Sequence, residues 1–454
     1  MSHNPQRRRP PGSWRLAAAT ATVALAVAGI AAAPGSSQTR RLAARTATGH
    51  VAGGSSLTIA DVAPFTGTDG ALGPTYLVSC DAAANAINKA GGVLGHDLSC
   101  KAVDTRGDPA DAVPAVHQMY ASTHNLAFVI GCTSDEAASV VPVFSQNKTV
   151  SFCMTGQSEF DHVKFPYFYR LVPPDLSESY AMVAIAKNKG YKRVALAFGN
   201  DIGSQTFVKP AIAAIKKAGM KLVANETLDL NATTFRTEAD AIVAAKPQVI
   251  LTEALGPGDA TLLSEVKQLN GNKLMPVIGT SATISPDWFK DVSGAIGGST
   301  LASKFLADNL VTQTSGPAFK AFSKAIYAEK GKVGTTGDFS TYLTAPGAVH
   351  LYDGINLAAL AMIASHSTSS SVYGPEIIKI GDGVPGATVV HTFAQGAAAL
   401  KAGKHIRYVG PGGPTSFDAY HDSAGLFQID AYTANGSVKV VGNISDAELR
   451  KLGL

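Results

Sequence analysis

Residues 126–154 read "LAFVIGCTSDEAASVVPVFSQNKTVSFCM" and contain one complete strand–helix–strand unit. The apolar run "LAFVIG" predicts a strand, "SDEAASVVPVFSQ" predicts a helix, and "TVSFCM" predicts the next strand. Strands connected by a helix in this way run parallel in one sheet. The polar residues between the first strand and the helix therefore fall at the carboxyl edge of the sheet, where open α/β proteins bind their ligands.

The same alternation of short β runs and alanine-rich helical stretches begins at Leu57 and continues through most of the 454-residue chain. It restarts after "YFYRLVPPD" (167–175), where four further strands follow, so two α/β units lie in series and join near residues 170–174. A third region, after residue 304, contains long helical segments and two β-like segments. We therefore predict an α/β fold with two doubly wound parallel sheets.

The N-terminal segment, residues 1–33, differs from the rest of the chain. It holds four arginines, no acidic residue and the run "LAAATATVALAVAGIAAA", which together predict a cleaved export signal. A retained membrane anchor is the alternative, although the Ala, Thr and Gly content disfavours a stable span. Residues 34–56 are rich in Ser, Gly, Ala and Thr and predict a flexible linker. We expect an exported protein of the cell envelope or the extracellular space.

The formal charge of +4 comes entirely from that segment, because the remaining chain has 34 basic and 34 acidic residues. A neutral body gives no electrostatic reason to expect nucleic acid or an anionic membrane as a partner.

The chain has four cysteines, and export would permit disulfide bonds between them. We favour pairing of sequence neighbours, Cys80 with Cys100 and Cys132 with Cys153. Each bond would close a loop of about 20 residues and contribute about 3 kcal/mol. Four buried free thiols are the alternative.

Sequence motifs of the common enzyme classes are absent: there is no G-x-S-x-G, H-E-x-x-H, Walker loop or C-x-x-C. The 11 histidines are scattered without metal-ligand spacing, and no base that would activate Cys132 is visible. We therefore predict no catalytic residue, no metal site and no cofactor.

Two adjacent strand ends in the first α/β unit carry small polar residues. They are Thr133 and Ser134 after the third strand, and Thr155, Gly156 and Gln157 after the fourth. The first pair also suits an ordinary helix N-cap, followed by two acids in the first helical turn. Because neighbouring strand ends meet at one edge, we expect a pocket wall there.

Several segments, in order and spacing, resemble the leucine/isoleucine/valine-type solute-binding proteins of ABC importers. These segments are "APFTG", "NKAGGVLGHDLSCKAVDTRGDP", "VIGCTS", "YFYRLVPPD", "LYDGINLAALA" and "YVGPGGPTSFDAYHD". The resemblance runs from about Leu57 to Gly442. It implies the class I periplasmic binding protein fold, with two lobes joined by three crossovers that close like a hinge. The implied lobes are 57–171 plus 305–423, and 172–304 plus 424–454.

The resemblance also implies which residues hold the solute in the first lobe. Ser134, together with Thr155 and Gln157, matches the positions that bind a solute carboxylate through a hydroxyl and backbone amides. Their neighbours Thr133 and Gly156 belong to the same candidate set, as does Thr66 in "APFTG".

In the second lobe the matching strand ends are "NDIGS", "TEALG" and "GTSAT". Ile202 stands where the family usually has an aromatic residue. The usual acid for a solute ammonium is replaced near Ser281, so Asp201 or Glu253 is the candidate substitute, since a buried unpaired ammonium would be costly.

The function implied by the resemblance is an exported, non-catalytic, monomeric receptor. It would bind a small polar solute, namely an amino acid, an amide or a carboxylate, and deliver it to the membrane permease of an ABC importer. A ligand sensor of the same fold and an exported hydrolase are the alternatives.

Overall fold

The computed structural model describes residues 54–67, 69–332, 339–423 and 426–453. The predicted export signal at 1–33 and most of the predicted linker at 34–56 lie outside the described residues.

The first sheet has five parallel strands in the order β2–β1–β3–β4–β5. Its elements are β1 (Leu57–Ala63), α1 (Gly73–Lys89), β2 (Leu98–Asp104), α2 (Pro109–Ser122), β3 (Leu126–Thr133), α3 (Ser134–Gln146), β4 (Ser151–Met154) and β5 (Phe168–Arg170). The strand–helix–strand unit predicted at 126–154 is therefore confirmed as β3–α3–β4.

The second sheet has seven strands in the order β15–β14–β10–β9–β8–β6–β7. It is built from α4 (Asp175–Asn188), β6 (Arg193–Gly199), α5 (Ile202–Lys217), β7 (Lys221–Leu228), α6 (Arg236–Ala245), β8 (Val249–Glu253), α7 (Leu255–Leu269), β9 (Val277–Gly279), α8 (Pro286–Ile296), α9 (Gly298–Lys304) and β10 (Phe305–Leu310). Strands β6 to β10 are parallel, which confirms the second α/β unit.

After β10 the chain returns to the first sheet. This part comprises α10 (Gly316–Tyr327), α11 (Pro346–Ser365), α12 (Ser370–Asp382), β11 (Thr388–Val390), α13 (Phe393–Lys401), β12 (Ile406–Gly410) and β13 (Gly413–Pro414). Helix α11 packs against α1 and α12. The chain then adds β14 (Phe427–Tyr432), β15 (Val438–Ile444) and α14 (Asp446–Leu452). Strand β14 pairs antiparallel with β10, at the edge of the second sheet.

Apolar side chains alternate between the two faces of each sheet, and helices cover both faces. In β3, Phe128 and Ile130 pack into one apolar cluster and Val129 into another. In β6, Leu196 and Ala197 divide between two further clusters in the same way. Burial on both faces is the reason why these strands read as continuous apolar runs.

One predicted lobe boundary differs from the observed strand pairing. Residues 305–310 fall in the range predicted for the first lobe, yet they form β10 of the second sheet. This strand pairs in parallel with β9 on one side and antiparallel with β14 on the other. Because both of its edges are hydrogen-bonded there, the return to the first sheet comes after Leu310.

The favoured cysteine pairing is confirmed, and the alternative of four free thiols is wrong. Cys80–Cys100 joins α1 to β2 with a Cα–Cα distance of 6.0 Å. Cys132–Cys153 joins β3 to β4 with a Cα–Cα distance of 4.9 Å. Cys132 is therefore bonded and does not offer a free nucleophile.

Helix α11 is, within the described part of the chain, the one helix long and apolar enough to cross a membrane. Its most apolar window is 83% buried inside the fold. Its apolar surface is therefore explained by packing in the core of the first sheet.

Candidate functional site

A cavity of about 110 Å³ lies between the two sheets. Residues 345–347, at the start of α11, complete the lining, and its other walls come from the residues that follow β1, β3, β4, β5, β6, β8 and β9 and from the helices that come next. These are the carboxyl ends of parallel strands, where the sequence predicted a ligand site. Six of the ten predicted residues line this cavity: Thr133, Ser134, Gly156, Asp201, Glu253 and Ser281.

The first wall is formed where β3 and β4 end side by side. The Thr133 backbone N–H and hydroxyl both donate to the carboxylate of Glu136, at 3.0 and 2.5 Å, which fixes the start of α3. Ser134 Oγ donates to Thr155 Oγ1 at 3.2 Å. Gln157 lies behind this pair and donates its backbone N–H to Thr155 Oγ1 at 3.4 Å. Thr155 and Gln157 therefore orient Ser134 and do not themselves line the cavity.

The second wall is formed by the ends of β6, β8 and β9 and by the first turn of α4, a helix that packs against the second sheet. Asp201 caps α5, because its Oδ1 accepts from the Ser204 backbone N–H at 2.7 Å. Glu253 accepts from the Thr280 hydroxyl. The backbone N–H of Ser281 donates to Glu178 Oε1 at 2.6 Å. Asp201, Glu253 and Glu178 thus each accept a hydrogen bond from a donor of the same wall.

The structure places two predicted residues away from the cavity. Thr66 is exposed, and its hydroxyl donates to Asp104 Oδ2 at 2.5 Å, so it stabilises a loop. Ile202 is 47% exposed at the start of α5. Gly203 and Phe207 occupy the wall in its place. Positions four apart share one helix face, and the face that begins at Gly203 is the one turned inward.

Four acids that the sequence did not single out as ligands also line the cavity: Asp69, Asp135, Asp175 and Glu178. With Asp201 and Glu253, six carboxyl groups surround it, and the described lining residues include no Lys, Arg or His. Asp175 and Glu178 begin the helix that follows β5, so the carboxyl-edge rule could have identified them. The sequence indicated Asp135 only as an acid that stabilises the first turn of α3, and therefore did not predict that it lines the cavity.

Burial raises the pKa values of several of these groups. The pKa of Asp69 is raised to about 10 by burial, by a side-chain hydrogen bond with Asp135 and by neighbouring acidic charges. The pKa of Asp175 is raised to about 8, because burial outweighs the hydrogen bond from Thr206. Burial also raises the pKa of Glu253 well above its usual range. The cavity therefore disfavours full ionisation of its own acids.

Direct hydrogen bonds connect the two walls. The Gly203 backbone N–H, at the start of α5, donates to Asp135 Oδ1 at the start of α3, with a distance of 2.9 Å. The Asp175 backbone N–H donates to the carbonyl oxygen of Gly156 at 2.7 Å. Residues that follow the two sheets thus meet at the cavity, as in a closed cleft.

These raised pKa values predict how stability depends on pH. The native state holds protons on Asp175 and on Glu136, whose pKa is raised to about 7 by burial, that the unfolded chain releases near pH 4. We expect the free energy of unfolding of the ligand-free protein to fall between about pH 5 and about pH 8, by roughly 1.4 kcal/mol per pH unit for each such proton. Urea unfolding at several pH values measures this slope. Asp175→Asn should reduce it, and a free energy that rises over this range would contradict the prediction.

A second group of acids lies outside the cavity. Ligand atoms of His162, Asp418 and Asp422 come within 4.8 Å of one another. The sequence did not predict this group, because His162 is distant in the chain from the two aspartates. The Asp418 carboxylate already accepts from two backbone N–H groups, and Asp422 lies 3.5 Å from the Arg170 guanidinium. These contacts explain the cluster structurally, and we assign it no metal.

The model of a family described as periplasmic binding protein matches residues 56–424. The chain is similar to Leu/Ile/Val-binding protein homolog 3 of Brucella melitensis, with 25% identity over 276 residues that cover 60% of this chain and 72% of the relative.

Solved structures of the same fold cover most of both chains. The leucine-binding protein LivK of Thermotoga maritima superposes with a TM-score of 0.68 and 18% identity, covering 86% of this chain and 99% of that one. A fatty acid ABC transporter substrate-binding protein of Thermomonospora curvata superposes with a TM-score of 0.69 and 14% identity, covering 87% and 94%. The class I periplasmic binding protein fold expected from the sequence is thereby confirmed. With a family model that spans most of its length, the chain belongs to the periplasmic binding protein family.

Proposed function

We propose that this protein is an exported, monomeric receptor that binds a small polar solute between two lobes and delivers it to the permease of an ABC importer. The proposed first lobe comprises residues 57–171 and 311–423, and the second comprises 172–310 and 426–453. The location of the cavity supports this function, because both groups of residues contribute strand ends and helix N-termini to it.

The observation that carries the proposal is the hydrogen bond from Gly203 to Asp135 beside the cavity. A solute that contacts both walls would stabilise the arrangement in which this bond forms. Such a solute shifts the equilibrium towards the closed state only to the extent that it binds that state better. A permease that recognises the closed state would then distinguish loaded from empty receptor.

A catalytic role has no support from the cavity. Cys132, the nucleophile considered from the sequence, is bonded to Cys153. Relatives in the family are named as binding proteins. We therefore propose binding without turnover, which separates this function from the exported hydrolase.

Among the three solute classes expected from the sequence, the cavity favours those that carry N–H donors. Glu253 and Asp201 could accept hydrogen bonds from an amino or amide group, and the Ser134 hydroxyl could donate to a solute carboxylate in place of Thr155 Oγ1. A solute with only carboxylate groups would meet six acidic side chains without a compensating cation among the described lining residues.

The test is thermal unfolding of the purified protein with amino acids, amides and carboxylates. A compound that binds the native state at 100 times its dissociation constant should add about 2.7 kcal/mol to the free energy of unfolding. We expect stabilisation by a compound with N–H donors, and a weaker response in Ser134→Ala. Ser303→Ala, an exposed serine on α9, is the matched control. Stabilisation that is identical in all three proteins would contradict binding in this cavity.

A further inference from the structure

The described residues that line the cavity include six carboxyl groups and no basic side chain that could neutralise their negative charge. Two carboxyl groups, Asp69 and Asp135, come from the first wall, and four come from the second. In the described lining, apolar and small polar residues complete the walls, and none of them is basic. The charges on both sides of the cleft therefore have the same sign, which opposes closure of the empty cavity wherever these groups are ionised.

Helix capping accounts for only part of this cluster. Asp201 uses Oδ1 to cap α5, while its Oδ2 is buried without a hydrogen-bond partner. Asp69 is only 3% exposed and shares a side-chain hydrogen bond with Asp135, but its Oδ1 accepts none from a backbone amide, a hydroxyl or a basic side chain of the described residues. A buried carboxyl oxygen without a donor is costly, unless something in the cavity supplies that donor.

The apolar part of the lining distinguishes an organic cation from a metal ion. Tyr76, Met154 and Phe207 give the cavity walls that suit a carbon chain. Within the part of the chain that the structure describes, three acid or histidine ligand atoms approach within 4.8 Å of one another only at His162, Asp418 and Asp422. The cavity acids are too dispersed to share one metal ion, but each can accept a hydrogen bond from a separate N–H group.

We propose that the solute is a compact aliphatic amine with a net positive charge, held by Asp69 and Asp135 on one wall and by Asp201 and Glu253 on the other. This inference rests on the proposed receptor function and names its solute class. A cation in contact with acids of both walls attracts both of them, so it favours the closed arrangement. The small volume limits the solute to a short chain.

Isothermal titration calorimetry of the full protein with three four-carbon probes tests the charge of the solute directly. Putrescine carries two ammonium groups. The diol with a hydroxyl group at each end of the same four-carbon chain (1,4-butanediol) is its neutral counterpart, and succinate is its anionic counterpart. We expect binding of putrescine, binding of the diol that is weaker by roughly tenfold or more, and no binding of succinate. This comparison uses only the wild-type protein and does not depend on the folding of any variant.

Two variants locate the binding in the cavity. Asp69→Asn and Asp201→Asn should each weaken putrescine binding by roughly tenfold or more, because each loses a charge-assisted hydrogen bond. Asp240→Asn, an exposed acid on α6, should leave the affinity unchanged. Thermal unfolding of the ligand-free variants verifies that they are folded. Equal affinities in all of these proteins would place the cation on the surface and overturn the inference.

Proton release provides an independent readout. At pH 7 the carboxyl of Asp69, which interacts electrostatically with Asp135, Glu136, Asp201 and Tyr76, retains its proton in the empty cavity, because its pKa is raised to about 10. Binding a cation there should displace that proton, so the measured heat should depend on the ionisation enthalpy of the buffer. Heat that is independent of the buffer would contradict the direct contact with Asp69.

The receptor function and the cation inference can fail separately. If succinate or a zwitterionic amino acid binds in a manner sensitive to Ser134→Ala while putrescine does not bind, the receptor function stands and the cation inference is overturned. If putrescine binds and neither cavity variant weakens it, both the inference and the location of the site are wrong.

Discussion

Replacing Arg170 with methionine is expected to lower the free energy of unfolding by about 3–5 kcal/mol. The Arg170 side chain is fully buried at the end of β5. It donates to Asp161 Oδ1 at 2.7 Å and to the carbonyl oxygen of Gln157 at 2.6 Å. Its Nε also lies 3.5 Å from Asp422 Oδ1, an ion pair without hydrogen-bond geometry.

Methionine occupies a similar volume but has no donor, so two carboxylates and one buried carbonyl would lose their cation or donor. Removing one partner of a buried charge network costs more than the network itself contributes, because the remaining charges stay desolvated. Gln157 follows the cavity residue Gly156, so the variant should also loosen the wall that holds Ser134. Its effect on ligand affinity should accompany its effect on stability.

Urea unfolding measures this loss, and Lys379→Met is the matched control. Lys379 pairs with Glu376 at 2.7 Å, but its side chain is 58% exposed. An exposed pair of this kind contributes about 1 kcal/mol or less. If Arg170→Met costs no more than Lys379→Met, the buried network does not stabilise the fold more than an exposed ion pair does.

Changing both Cys132 and Cys153 to alanine is expected to lower the free energy of unfolding by about 3 kcal/mol. The bond closes a loop with a sequence separation of 21 residues and thereby restricts the unfolded chain. Both cysteines are fully buried between α2, α3 and the first sheet. They also precede Thr133 and Met154, which line the cavity. Ligand affinity should therefore fall together with stability.

The other disulfide separates these two effects. Cys80–Cys100 has nearly the same sequence separation, 20 residues, but neither cysteine lines the cavity. The matching double alanine variant should lose a similar amount of stability while its ligand affinity stays unchanged. Unfolding of the oxidised and reduced wild-type protein at the same urea concentration would contradict a stabilising role for both bonds.

The sequence located the cavity but named only part of its surface. Ser134, at a polar strand end, and Asp201 and Glu253, which the resemblance implied, all line the cavity, because residues that follow parallel strands share one edge of a sheet. Ile202 was matched to a binding position by the family resemblance alone, whereas the direction of α5 turns it outwards to 47% exposure. Asp69 and Asp135 were not assigned to the solute, because the sequence does not contain the burial that brings them together.

The sequence by itself determined the α/β class, the two series of parallel strands and the sheet edge that lines the cavity, and it favoured the observed cysteine pairing. These features follow from periodicity and spacing over about 10 to 30 residues, which local propensity and short loops control. The tertiary structure alone decided that β10 joins the second sheet, that Gly203 meets Asp135 across 68 residues, and that six acids share one cavity. Each depends on packing between elements distant in the chain, and the low dielectric of that packed interior changes the pKa values of the acids it encloses.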